Sequence, residues 1–98
     1  MLIKAGVDIS RLNREIRRSL PRVEAVYDEY LEDFVITSTF EGNHGSGSLH
    51  YANNAYDVGL PSKNTKEIFN AVKEDLGASY DVVWEGDHIH IEYDPKTK

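Results

Sequence analysis

Histidine is the residue that stands out when this chain is scanned for chemistry. Its four copies fall in two short patches, His44 with His50 and His88 with His90, and none lies elsewhere. His88 and His90 flank one residue, so on a strand, where side chains alternate, both imidazoles face the same way. Asp57 follows His50 by seven residues, far enough for a turn to bring the two to one point. Zinc accepts imidazole nitrogens and carboxylate oxygens, and catalytic zinc sites use three protein ligands and leave one position for water. Two histidines and one aspartate meet that count. A surface cluster of histidines without metal is the plain alternative. Cysteine is absent, which removes disulfides, thiolate nucleophiles and cysteine zinc sites together.

The elements that must position these residues can be read from periodicity. The last segment, YDVVWEGDHIHIEYDP, reads as a β-hairpin with Gly86-Asp87 as a two-residue turn. Glu85 then lies opposite His88 and Val83 opposite His90. One face carries Tyr80, Val82, Trp84, Ile89, Ile91 and Tyr93, a core face on which Trp84 is expected to be buried. The other carries Asp81, Val83, Glu85, His88, His90 and Glu92. Sliding the turn back to Glu85-Gly86 keeps both faces. Glu92 is either solvated or orients a ligand imidazole.

Upstream, Leu2 to Val7 is a short strand or an extended lead-in, and Asp8 or Ser10 offers an oxygen to cap a helix. Ile9, Leu12, Ile16, Leu20, Val23, Tyr27 and Tyr30 form one helical stripe. Pro21 interrupts it, which predicts a kink or two abutting helices. Arg14, Arg17, Arg18 and Arg22 lie mostly off the stripe, as on a solvated face. Asp33–Phe40 reads as a strand, 41–48 as a Gly/Ser/Asn loop, and Ala55–Leu60 as another strand ended by Pro61. Asn64 and Glu67 have capping-box spacing. Ile68, Val72 and Leu76 make a second stripe, stopped by Gly77.

Length and composition set the frame. Ninety-eight residues, 40% hydrophobic and 29% charged, make one globular domain over 1–98 rather than a disordered chain. The formal charge of −6 repels phosphate backbones and anionic lipids, so neither nucleic acid nor membrane is expected as a partner. No apolar stretch is long enough for a membrane span or a signal peptide. The chain is expected to be cytoplasmic as synthesised, and a monomer.

The run His44-x-x-x-Ser48-Leu49-His50-Tyr51, then Asp57, then His88-Ile89-His90 resembles the metal site of the M15 peptidases and of the hedgehog signalling domain. The M15 family includes D-Ala-D-Ala carboxypeptidases and phage endolysin peptidases that cut peptidoglycan cross-links. The matched stretch spans His44 to Glu92, half the chain. The resemblance implies an α+β fold with helices packed on a small antiparallel sheet, and Zn2+ held by His50, Asp57 and His90. It further implies hydrolysis of peptide bonds in peptidoglycan stem peptides or cross-bridges. His88, and with it His44, would hydrogen-bond the oxyanion. The catalytic carboxylate of the family lies upstream of the last histidine. Glu85 and Asp87 both qualify; the hairpin favours Glu85, because Asp87 falls in the turn. Its task would be to take a proton from the attacking water and pass it to the leaving amine. D-Ala-D-Ala peptidases usually carry an arginine just after the Thr-Ser strand, whereas this chain reads TSTFEGNH. Hedgehog-like sequences lack it too, so a zinc-bearing binding module without turnover is the alternative. Taken with small size and the lack of an apolar run for a signal peptide, the resemblance implies a phage-encoded product acting on the cell wall.

Overall fold

In the computed structural model, residues 1–39 and 53–95 are described. The chain runs β1 (Leu2–Ile3), α1 (Arg14–Glu29), β2 (Val35–Ser38), β3 (Ala55–Gly59), α2 (Thr65–Leu76), β4 (Tyr80–Glu85) and β5 (His88–Tyr93). The five strands form one sheet in the order β1-β2-β3-β5-β4. The α+β class holds, but the sheet is mixed rather than purely antiparallel. The N-terminal strand pairs in parallel with β2, Leu2 opposite Val35 and Ile3 opposite Ile36, and the other neighbours are antiparallel.

The two helical stripes and the apolar sheet face close on one another. Ile16, Leu20, Val23 and Tyr27 from α1 meet Ile68, Val72 and Leu76 from α2 over Ile36, Tyr56, Val58, Val82, Ile89 and Ile91, all buried in one core. Burying a side chain of this kind stabilises by about 1.5–3 kcal/mol, which is why the stripe outweighs local features that oppose it. Pro21 is the clearest case. It sits inside one continuous helix of 16 residues, not between two. Proline withholds a hydrogen bond from the carbonyl four residues earlier, here Arg17. Both Pro21 and Arg17 are exposed, on the solvent side, where water can serve that carbonyl. Arg14, Arg18 and Arg22 are exposed as well, and Arg22 reaches Asp75 at 3.1 Å.

Neither expected helix cap makes its side-chain capping bond. Asp8 Oδ1 accepts a hydrogen bond from the Ser10 backbone N–H at 2.8 Å, closing a local turn ahead of the helix. The first helix starts later, after Asn13. Asn13 donates from its backbone to the Asn53 carbonyl at 2.9 Å and from its side chain to Asn54 Oδ1 at 2.7 Å. The helix start is thereby tied to the segment that leads into β3. Asn64 precedes α2 with φ 58 and no side-chain capping bond, so the capping box with Glu67 does not form.

Trp84 also departs from expectation: it lies on the apolar face but is 44% exposed. It sits on the edge strand, one residue pair from the hairpin turn, with Phe69 as a ring neighbour at 6.0 Å. The periodicity identifies its face correctly; an edge position limits how far that face is covered. Among the described residues, no helix is long and apolar enough to cross a membrane.

Candidate metal and catalytic site

The hairpin forms in the expected register, with Glu85 opposite His88, Val83 opposite His90 and Asp81 opposite Glu92. Gly86 has φ +51, and Asp87 has no positive φ, so the left-handed residue comes first in the turn, as in type II′. A Cβ at Gly86 would meet nothing within 4 Å. Glycine is therefore favoured there for backbone conformation, not for space.

The central strand β3 completes the arrangement. It lies between β2 and β5 and places Asp57 directly opposite His90, and Gly59 opposite His88. On its other side, Ile36 and Ser38 of β2 pair with the adjacent residues Val58 and Asp57. One extra β2 residue, Thr37, thus falls between them as a bulge, which sharpens the local twist beside Asp57. Two phenols anchor β3 from the core side. Tyr27 donates to the Gly59 carbonyl at 2.9 Å, and the Tyr56 hydroxyl lies 2.8 Å from Ser19 Oγ. Burial pushes both phenols up, above the usual tyrosine range, so they stay neutral.

On the polar face the side chains converge. Asp57 Oδ1 lies 3.0 Å from His90 Nδ1, with side-chain exposures of only 11% and 13%. The other nitrogen, Nε2, lies 2.6 Å from Glu92 Oε1. His88 is more exposed and is bracketed by three carboxylates. Its Nε2 is 3.2 Å from Glu85 Oε1 and 3.7 Å from Asp57 Oδ2, and its Nδ1 is 2.9 Å from Asp87 Oδ1. Burial pushes the His90 imidazole down, but hydrogen bonds to Asp57 and Glu92 outweigh it and raise its pKa to about 9. His88 balances the same way: burial lowers it, while Asp87, Asp57 and Glu85 raise it further than burial takes it down. The hydrogen bond from His88 holds the Asp87 carboxyl below its ordinary range.

Of the residues singled out from sequence, Asp57, Glu85, Asp87, His88 and His90 are thus brought together on one face of the sheet. His44 and His50 lie outside the described residues, as do Ser48, Tyr51 and the 41–48 loop. The two general-base candidates part company. The Asp87 side chain is 99% exposed and touches the outer ring nitrogen of His88, whereas Glu85 meets the nitrogen that faces Asp57. Glu85 and His90 also line a cleft of about 390 Å³, together with Lys73, Tyr80, Asp81 and Glu92.

The donor chemistry fits a small borderline cation at Asp57 and His90. Oδ1 of Asp57 and Nδ1 of His90, which share a hydrogen bond at 3.0 Å, are donor types that zinc accepts. The described residues supply two of the three ligands that the resemblance implies. Sequence reasoning did not single out one further grouping. Asp81, Glu92 and Asp94 bring carboxylate oxygens within 4.8 Å of one another. The cross-strand register of Asp81 and Glu92 was the signal that could have found it. An all-oxygen set of this kind suits calcium or magnesium better than zinc.

No protein-family model matches the chain, and none of the curated proteins compared with it is significantly similar.

Proposed function

We propose that this chain is a zinc-dependent peptidase acting on peptide bonds of peptidoglycan, in stem peptides or cross-bridges, with a hedgehog/D-Ala-D-Ala-peptidase-like fold. The observation that carries the reading is the placement of Asp57 Oδ1 3.0 Å from His90 Nδ1, with Glu85 and His88 beside them on the same face. Asp57 and His90 would hold the ion with His50 as the third ligand. When bound, zinc supplies Lewis acidity and makes a water nucleophilic near neutral pH.

The remaining steps belong to the protein's own groups. Glu85 is the general base: its carboxylate takes a proton from the attacking water and returns it to the leaving amine. His88 donates from Nε2 towards the oxygen that gains charge in the transition state. In the resting arrangement this nitrogen lies beside Glu85 and Asp57, at 3.2 and 3.7 Å, next to the groups that this reading assigns to the base and to the metal. The three carboxylates around the ring favour its protonated, donating form. Asp87 steadies the outer side of the same ring.

A second reading, a zinc-bearing binding module without turnover, is favoured by one observation: no arginine follows Thr37 and Ser38 to polarise a scissile carbonyl. Incubation with cell-wall sacculi separates the two. The peptidase releases new amino or carboxyl termini, stops with chelator and resumes with zinc. Zinc-loaded protein that binds sacculi or a protein partner but releases no termini is the module. The assay includes both terminal D-Ala-D-Ala and cross-bridge substrates, because the missing arginine bears on which bond is cut.

A further inference from the structure

Glu92 takes no part in the steps above, yet it makes a short polar contact in the site, 2.6 Å from Oε1 to His90 Nε2. We infer that Glu92 is a positioning residue: it fixes the His90 ring so that Nδ1, not Nε2, is the atom offered beside Asp57. This rests on the zinc reading only for what Nδ1 then holds.

Three features of the fold support it. Glu92 follows His90 by two residues on β5, so the alternation of the strand puts both on one face. Across the sheet Glu92 faces Ala55 on one side and Asp81 on the other. The alanine offers no polar partner, and Asp81 with Asp94 crowds it with like charge. The imidazole N–H is therefore the favourable place for its carboxylate. Finally, the two ring nitrogens of His90 are held by different carboxylates, Asp57 at Nδ1 and Glu92 at Nε2. Turning the ring over would swap carbon for nitrogen at both contacts and lose both bonds.

The same geometry says what Glu92 does not do. It binds the ring nitrogen opposite the one beside Asp57, so it is placed to steer His90 and not to share an ion with Asp57. A carboxylate on the far nitrogen of a ligating histidine fixes the tautomer and raises the basicity of the near one.

The test compares wild type, Glu92→Gln and Glu92→Ala, using zinc affinity by chelator competition and NMR of the His90 ring. In wild type the ring Nε2–H proton is visible and persists when zinc is added. In Glu92→Ala that signal is lost to solvent exchange, and zinc binds about 10- to 100-fold more weakly, the usual effect of removing such a partner. Glu92→Gln keeps an acceptor oxygen of the same shape and recovers most of the affinity and the signal. An unchanged ring signal and unchanged zinc affinity in Glu92→Ala overturn the assignment. If wild type binds no zinc, the metal reading fails by itself. The Nε2–H signal of the metal-free proteins then still decides whether Glu92 holds the ring.

Discussion

Asp57 and His90 stand directly opposite each other on β3 and β5, and their Oδ1 and Nδ1 atoms are 3.0 Å apart. They are separated by 33 residues in the chain, so sheet topology alone brings them together. Because β3 lies inside the sheet and not at its edge, the pair is held from both sides: by the β2 bulge and, through the hairpin, by β4. Only one register achieves this. A slip by one residue would turn Asp57 into the core and bring Val58 to the polar face.

Two of the three carboxylates around His88, Glu85 and Asp87, give the first prediction. Glu85→Gln keeps the shape but removes the proton acceptor, and should cut turnover by roughly 10²–10⁴-fold while leaving zinc affinity intact. Asp87→Asn should cost less than tenfold, since the side chain is 99% exposed and touches only the outer nitrogen of His88. Steady-state rates on a stem-peptide substrate check both. Abolished turnover in Asp87→Asn with full activity in Glu85→Gln would exchange the roles.

Much of this arrangement is legible in the sequence. Hairpin register, the shared face of Glu85, His88 and His90, and the pairing of Glu85 with His88 follow from strand alternation and one turn, which are local rules. The strand containing Asp57 is legible too, but its partner is not, because nothing local says which strand lies beside β5. The contact of Glu92 with His90 is local, but strand alternation fixes a face and not a rotamer. The features that depart from expectation have causes that strand and helix periodicity do not carry. Pro21 is tolerated because it and Arg17, whose carbonyl it leaves without a donor, lie on the exposed side of the helix, Trp84 is uncovered because β4 is an edge, and the Asp8 oxygen is used by Ser10 in a turn before the helix begins.

The anchoring of β3 gives a prediction about stability. Tyr27 donates to the Gly59 carbonyl from a position that is 0% exposed. Tyr27→Phe removes the donor and leaves the carbonyl short of a partner, which should destabilise by about 1–2 kcal/mol. In a domain of this size each 1 kcal/mol lowers Tm by roughly 4–8 °C. Thermal unfolding followed by circular dichroism measures it; an unchanged Tm would mean that the bond does not hold the strand.

Glu32 supplies a pH dependence away from the site. Its carboxylate accepts from the Ser62 and Lys63 backbone N–H groups at 2.8 and 3.1 Å, and the Ser62 hydroxyl joins it. These bonds, the Ser62 N–H first, hold its pKa below the ordinary 4.5. A group depressed in the folded state stabilises fully above its unfolded pKa, and that contribution is lost as pH falls through the folded value. The Tm difference between wild type and Glu32→Gln should therefore be largest above pH 4.5 and shrink as the pH drops below it. A difference that grows on acidification would contradict the assignment.

The most direct test of the account is a calorimetric titration of zinc into metal-free protein, run on wild type, Asp57→Ala and His90→Ala. Wild type should take up one zinc per chain and gain thermal stability with it, because a metal that binds only the folded state stabilises that state. Each variant lacks a direct ligand and should bind at least roughly 100-fold more weakly, more than is lost with a partner one shell further out. Wild type that takes up no zinc, or variants that bind it as well as wild type does, would contradict the metal site at Asp57 and His90.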